Sequence, residues 1–274
     1  MVRCRAAALV TAAGILSLFA ITTYAQGVWD KTWNNSGGGH VALPPLSTSP
    51  GPAPRRDLTG TWDAGTMGIA GGSFAGLKPS PFTPEGEKRK AANKTGNGDM
   101  AVINDPLETM GDVGGFPRNL LYELRPLQIV QTPQSMLMLH MWEKRWRAIW
   151  TDGRALPENP DPRWYGYSVG RWVDDTTFVV ETNGTDERTW VDNGGNPHST
   201  ALRVEERYHR VNAEVLELTV VIDDPVVYTK PWTALQRLPL RLAPAGTDFM
   251  EMIPSATEAQ NVYKILKEAV QQGR

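Results

Sequence analysis

Cysteine is nearly missing from this chain of 274 residues: Cys4 is the only one, and it stands before the first apolar run. The rest of the chain therefore has no disulfide, no Cys-ligated metal and no thiol nucleophile. A lipid-carrying cysteine would have to follow the apolar run, so Cys4 does not fit that role either. An excess of positive charge is also lacking, since 28 Lys+Arg face 30 Asp+Glu. That balance leaves no electrostatic footprint for nucleic acid or an anionic membrane surface. The four histidines form no HExxH and no close pair, and there is no Gly-rich phosphate loop or Gly-x-Ser-x-Gly elbow. No cofactor is implied, metal or nucleotide. His140 and Glu143 stand three apart, which on a strand puts them on opposite faces. Thr95-Gly-Asn-Gly-Asp99 resembles part of a calcium loop without the glutamate that closes one.

Long apolar runs are absent apart from one. After Arg3 and Arg5, Ala6 to Ile21 is apolar, and Thr23-Tyr24-Ala25 puts small residues where a signal peptidase inspects the chain. A membrane span needs about 20 apolar residues, more than this run offers. The reading is a secreted or periplasmic protein whose residues 1–25 are removed, leaving no stable membrane span. An uncleaved anchor is the alternative. Losing Arg3 and Arg5 takes the net charge from −2 to −4. Asn93-Lys-Thr95 and Asn183-Gly-Thr185 are glycosylation sequons only if the host glycosylates.

Residues 26–56 are rich in Gly, Pro and Ser and read as a flexible leader. A single β-rich domain is expected over 57–274. Thr83-Pro84 opens a short helix through Ala92, with Thr83 as its cap. Alternation of apolar and polar residues predicts eight strands near 135–142, 145–151, 166–173, 176–182, 201–211, 215–223, 231–242 and 247–253. An amphipathic helix follows at about 257–271, with Val262, Ile265, Leu266 and Ala269 on one side. Strands in simple succession imply an antiparallel meander, and a meander of this size closes into an up-and-down barrel to remove its edges. Gly60-Thr61-Trp62 resembles the Gly-x-Trp of lipocalins, which implies a lipocalin-like barrel; an open sheet or sandwich is the competitor.

Long connections at 152–165, 183–200 and 224–230 alternate with short turns, so a meander gathers all three at one mouth. They carry aromatic side chains beside ionisable ones, as a small-molecule pocket requires. Trp164, Tyr165, Trp190, Ser199, Tyr228 and Trp232 are the substrate-binding candidates. The competing reading is an aromatic plug with solvated charges. His198 is the acid/base candidate, with Asp192 or Asp152 to orient it; the alternative is a packed histidine. Glu206 shares a strand face with Val204 and Tyr208 and is expected to point inward, either as a general acid or base or in an ion pair with Arg147 or Arg210. Arg154 suits a carboxylate or an oxyanion.

A string of motifs from about Asp57 to Glu251 resembles a large family of secreted bacterial proteins of unassigned function. It includes Leu58-Thr-Gly-Thr-Trp62, Asp105-Pro-Leu107, Gly115-Phe-Pro-Arg118, Ile129-Val-Gln-Thr-Pro133, Thr151-Asp-Gly-Arg154 and Gly166-Tyr-Ser-Val-Gly-Arg-Trp172. Pro197-His-Ser199 after Asp192, Glu205-Glu-Arg207, Asp223-Asp-Pro225 and Pro231-Trp232 complete it. Family members usually carry cysteines where this chain has Met110 and Pro254. The resemblance implies that such a pair forms a disulfide, dispensed with here, and that 105–118 packs near 250–254. Three functions fit these residues: an exported cofactor-independent lyase, isomerase or hydrolase acting on a cyclic or aromatic molecule; a non-catalytic binding protein for such a small organic ligand; or an envelope interaction domain. The sequence leaves the oligomeric state open.

Overall fold

The computed structural model describes residues 41, 43–65, 77–95, 103–122, 124–248, 252–253 and 255–271. The expected signal sequence at 1–25, the first part of the leader and the stretch 96–99 lie outside them. Nine strands close into a barrel in chain order. They are β1 (Gly60–Asp63), β2 (Leu127–Gln131), β3 (Ser135–His140), β4 (Trp146–Trp150), β5 (Tyr167–Trp172), β6 (Thr177–Asn183), β7 (Arg203–Arg210), β8 (Val215–Asp223) and β9 (Trp232–Leu242). The expected count of eight is therefore corrected. The strands beyond those expected are β1 and β2, of four and five residues. Of the expected strand 247–253, residues 249–251 lie outside the described residues, and Met252 forms a parallel bridge with Trp142. β9 closes on β1 through Trp62↔Leu242 and Asp63↔Arg241, which leaves no edge for a further strand.

The all-antiparallel meander is corrected as well. β4 and β5 are parallel, paired only at Ile149↔Ser168 and Trp150↔Val169. A parallel connection must travel the height of the sheet and needs a dozen or more residues, about what 151–166 supplies. Connection length alone does not separate a long hairpin loop from such a crossover. Short turns at 132–134, 173–176 and 211–214 define a turn end, and 141–145, 184–202 and 224–231 define a loop end. The crossover starts at the turn end, where Thr151 N–H donates to Gln134 O, and finishes at the loop end, where Arg163 N–H donates to Gly184 O.

Side chains alternate as the strand period demands. Leu216, Leu218, Val220 and Ile222 of β8 point into the core, as do Val204, Glu206, Tyr208 and Arg210 of β7. Gly170 of β5 faces inward too, where a Cβ would sit 2.4 Å from the Phe178 ring. Phe116 and the one-turn helix α3 (Arg118–Leu121) fill the loop end, with Leu120 and Leu121 in the same core. Helix α1 (Pro84–Ala92) begins at Thr83, whose Oγ1 accepts from Gly86 N–H. Helix α2 (Pro106–Met110) packs against the C-terminal helix α4 (Ala256–Gln271).

At the turn end Trp62 Nε1–H donates to Leu58 O, and the Arg210 guanidinium lies 4.5 Å from the Trp62 ring. Residues of the expected flexible leader are tied down here: Ala213 N–H donates to Gly51 O, and Arg55 pairs with Asp175. Ile265 of α4 is exposed, and the side chains of Val262, Leu266 and Ala269 lie outside the described residues. No helix among the described residues is long and apolar enough to cross a membrane.

Candidate functional site

The topology divides the three long connections expected at one mouth. Segments 184–202 and 224–231 do meet at the loop end. The crossover delivers only Trp164 and Tyr165 there and leaves Asp152 and Arg154 near the turn end.

The loop-end residues are held by one another. His198 is buried, with Nε2 2.8 Å from Thr189 Oγ1 and Nδ1 3.2 Å from Ser199 O. Burial pushes its pKa below the ordinary value and favours the neutral ring. Asp192 does not meet it: its carboxylate accepts from Gly194 N–H, Asn196 N–H and Asn196 Nδ2, which fixes a turn. Ser199 donates from N and Oγ to Asp224 at 2.6 and 2.8 Å. Tyr228 Oη donates to Pro197 O, and its ring contacts Phe82 and Trp232. Trp190 is buried with Arg118 5.6 Å above it, and Trp164 carries Arg188 at 4.4 Å.

Glu206 does point into the barrel, fully buried. Both its oxygens accept from Arg147 Nη2, at 2.7 and 2.8 Å, and Tyr208 Oη donates to Oε2 at 2.7 Å. Of the two expected partners, Arg147 is the one found. The five acid/base candidates thus fall into three places: the 184–202 loop, the barrel interior and the start of the crossover. Among the described residues no three His, Cys, Asp or Glu side chains gather as metal ligands would.

A different arrangement forms where β4 and β5 part. Beyond their two paired positions the strands have no further pairing, and crossover residues 154–157 and Arg163 line the gap. The result is a groove of about 590 Å³ with Trp146, Trp150, Tyr165 and Tyr167 on its walls. That volume lies within the range of small-molecule sites. Trp146 is 66% exposed and Trp150 38%, large apolar side chains that a closed barrel face has no structural need to show. Arg154 stacks 3.7 Å from the Trp150 ring centroid and pairs with Asp152 at 2.6 Å, which lowers the Asp152 pKa. Arg163 stacks 3.9 Å from Tyr167. Tyr165 Oη donates to buried Glu143, which also accepts from Gly114 N–H; burial raises the Glu143 pKa.

Arg154 and Tyr165 are candidates that the sequence offers, and Arg147 is expected only as a partner of Glu206; Trp146, Trp150, Arg163 and Tyr167 are not among the expected site residues. The signal was present in Trp146-Arg-Ala-Ile-Trp150, where two tryptophans share one strand face and Arg147 and Ile149 the other. A second groove of about 590 Å³ lies between α1, α2 and the 184–202 loop and includes Trp190 and His198. Its charges are spent on each other, Arg89 on Glu85 and Glu187. Comparison with known protein families, curated proteins and solved structures finds no match to this chain.

Proposed function

We propose that this is an exported β-barrel that binds a small planar aromatic or cyclic organic molecule in the β4–β5 groove, without chemistry. The observation that carries the reading is the parallel seam. It is paired at two positions only and opens into a recess walled by exposed tryptophans and flanked by two arginines. Aromatic rings supply area for affinity, and a few polar groups fix orientation. Dispersal of the acid/base candidates favours binding over turnover, because general acid–base catalysis needs its groups within reach of one substrate. Kinship with the secreted bacterial family belongs to the same proposal. It is supported by Gly111, which lies against Ser255 and Ala256, close to the positions where that family carries its cysteines.

The test is a titration with 2-naphthoate and its neutral analogue 2-naphthamide, followed by tryptophan fluorescence. Saturable binding of at least one probe is expected, weakened about tenfold or more by Trp150→Ala, since a lost aromatic contact and its buried area are worth a kcal/mol or more. Binding unchanged in a folded Trp146→Ala/Trp150→Ala variant would put the ligand elsewhere.

A further inference from the structure

Resting on the groove reading, we infer that the ligand carries a carboxylate and that Arg147, reached through the open seam, recognises it. Arg147 is 3% exposed and projects inward from β4, between the outward-facing Trp146 and Ala148. It nevertheless lines the groove at a level where β4 has no pairing with β5; its unpartnered nitrogens are themselves buried, so the ligand meets them as the seam parts. Its Nη2 is given to Glu206, while Nε and Nη1 have no hydrogen-bond partner among the described residues. A buried guanidinium with unused donors is unfavourable, and its planar fork matches two carboxylate oxygens. Phe116 holds the plane of the fork, its ring centroid 4.3 Å from the guanidinium carbon.

The charges around the groove select a single negative charge. Arg147 is balanced by Glu206 and Arg154 by Asp152. Arg163, over Tyr167, has no acidic partner among the described residues, so it alone is left to balance the ligand. A dianion would meet the Glu206 carboxylate with nothing to offset its second charge. The ligand class is therefore an aromatic or cyclic monocarboxylate, with its ring between Trp150 and Tyr167 and its head toward Arg147.

The same two probes separate this inference from the groove reading, because they share a ring system and differ in the head. In the full chain, titration calorimetry is expected to show 2-naphthoate binding about tenfold or more tighter than 2-naphthamide, as a charge-assisted pair warrants. Arg147→Lys keeps a cation beside Glu206 but lacks the fork, and in the folded variant the preference is expected to fall to about twofold or less. Arg163→Gln is expected to weaken 2-naphthoate while leaving a several-fold preference. Should Arg147→Lys not fold, salt decides. A buried contact keeps most of the preference at about 0.5 M NaCl, whereas a rim contact is screened away. Equal affinity for both probes, a preference untouched by Arg147→Lys, or one lost in Arg163→Gln or in salt overturns the assignment to Arg147. If both probes bind equally and Trp150→Ala releases both, the head-group inference alone fails. If neither binds, the groove reading falls and takes this inference with it.

Discussion

Two arginines buried in the barrel end in opposite circumstances. Arg210, at the turn end, gives Nε to Asn212 O, Nη1 to Asp57 O and Nη2 to Ala213 O, and covers the Trp62 ring. Every part of its fork is used, and its strand β7 pairs continuously with β8 from Arg203↔Asp223 to Arg210↔Leu216. Arg147, at the seam, satisfies Glu206 through one nitrogen and leaves two unpartnered among the described residues. Its strand meets the next at two positions only. An unbroken antiparallel ladder closes the wall and completes the bonding of what lies behind it. A parallel pair joined by a crossover does neither, and the aromatic groove forms at that gap.

The sharpest way to break this comparison is to remove one member of the seam pair. Arg147→Met leaves Glu206 as a buried carboxylate with only Tyr208 to donate to it. A loss of about 3–5 kcal/mol is expected in urea unfolding. Replacing both, as Arg147→Met/Glu206→Leu, restores most of that loss, because two apolar side chains then fill the space. If the single variant costs under about 1 kcal/mol, the pair is not buried as described.

Next in size is the sealing of the loop end. Gly86 lies in helix α1, where alanine would ordinarily add up to about 1 kcal/mol. Here the added Cβ would stand 2.2 Å from the Val227 carbonyl oxygen, a backbone atom that cannot swing aside. Gly86→Ala is expected to lower stability by about 1–3 kcal/mol in the same assay. A stabilised variant would mean that α1 is not seated on the 224–231 loop.

The histidines give a pH-dependent effect. Burial, aided by the Arg147 charge, holds the His140 pKa at about 3 against an ordinary 6.5. The unfolded chain takes up that proton below 6.5 and the folded one does not, so stability is fully present above 6.5 and is lost as pH falls toward 3. His198, lowered by burial, acts in the same direction. Glu143, raised by burial, acts in the opposite one, its contribution being lost as pH rises above 4.5. Comparison with His140→Gln isolates one proton: its stability should fall less steeply than that of the natural protein, by about 1.4 kcal/mol per pH unit between about pH 6 and about pH 5. Equal slopes would show that His140 is hydrated.

Strands with a full period were legible in the sequence, and topology was not. Leu216, Leu218, Val220 and Ile222 announced their face, and Glu206 was placed inward by its neighbours Val204 and Tyr208. The Thr83-Pro84 start of α1 follows from capping chemistry. What failed was anything decided by partners. Gly60–Asp63 is a strand because β2 and β9 lie beside it, and four residues show no period of their own. Aromatic and ionisable residues in long loops suggested a site, yet His198, Asp192 and Ser199 each found a partner within those loops. The groove came instead from a pairing direction, which no local pattern of residues records.

The smallest effect on stability should come from Arg154, and for that reason it is informative. Its side chain is about half exposed, it pairs with Asp152 two residues away, and it crosses no element boundary. An exposed pair within one turn adds little to folding, so Arg154→Ala should leave the melting temperature unchanged. It also uncovers a face of Trp150, since the guanidinium lies 3.7 Å from that ring. If Arg154 only shields Trp150 from water, its removal makes room, and 2-naphthamide binds as well as before or better. If it forms part of the wall against which a ligand ring rests, both probes weaken together by a few fold, without a change in the ratio between them. Because Arg147 is assigned the head group and Arg154 only the ring, the ratio should hold in either case. A ratio that collapses in Arg154→Ala moves carboxylate recognition from the buried seam to the exposed rim.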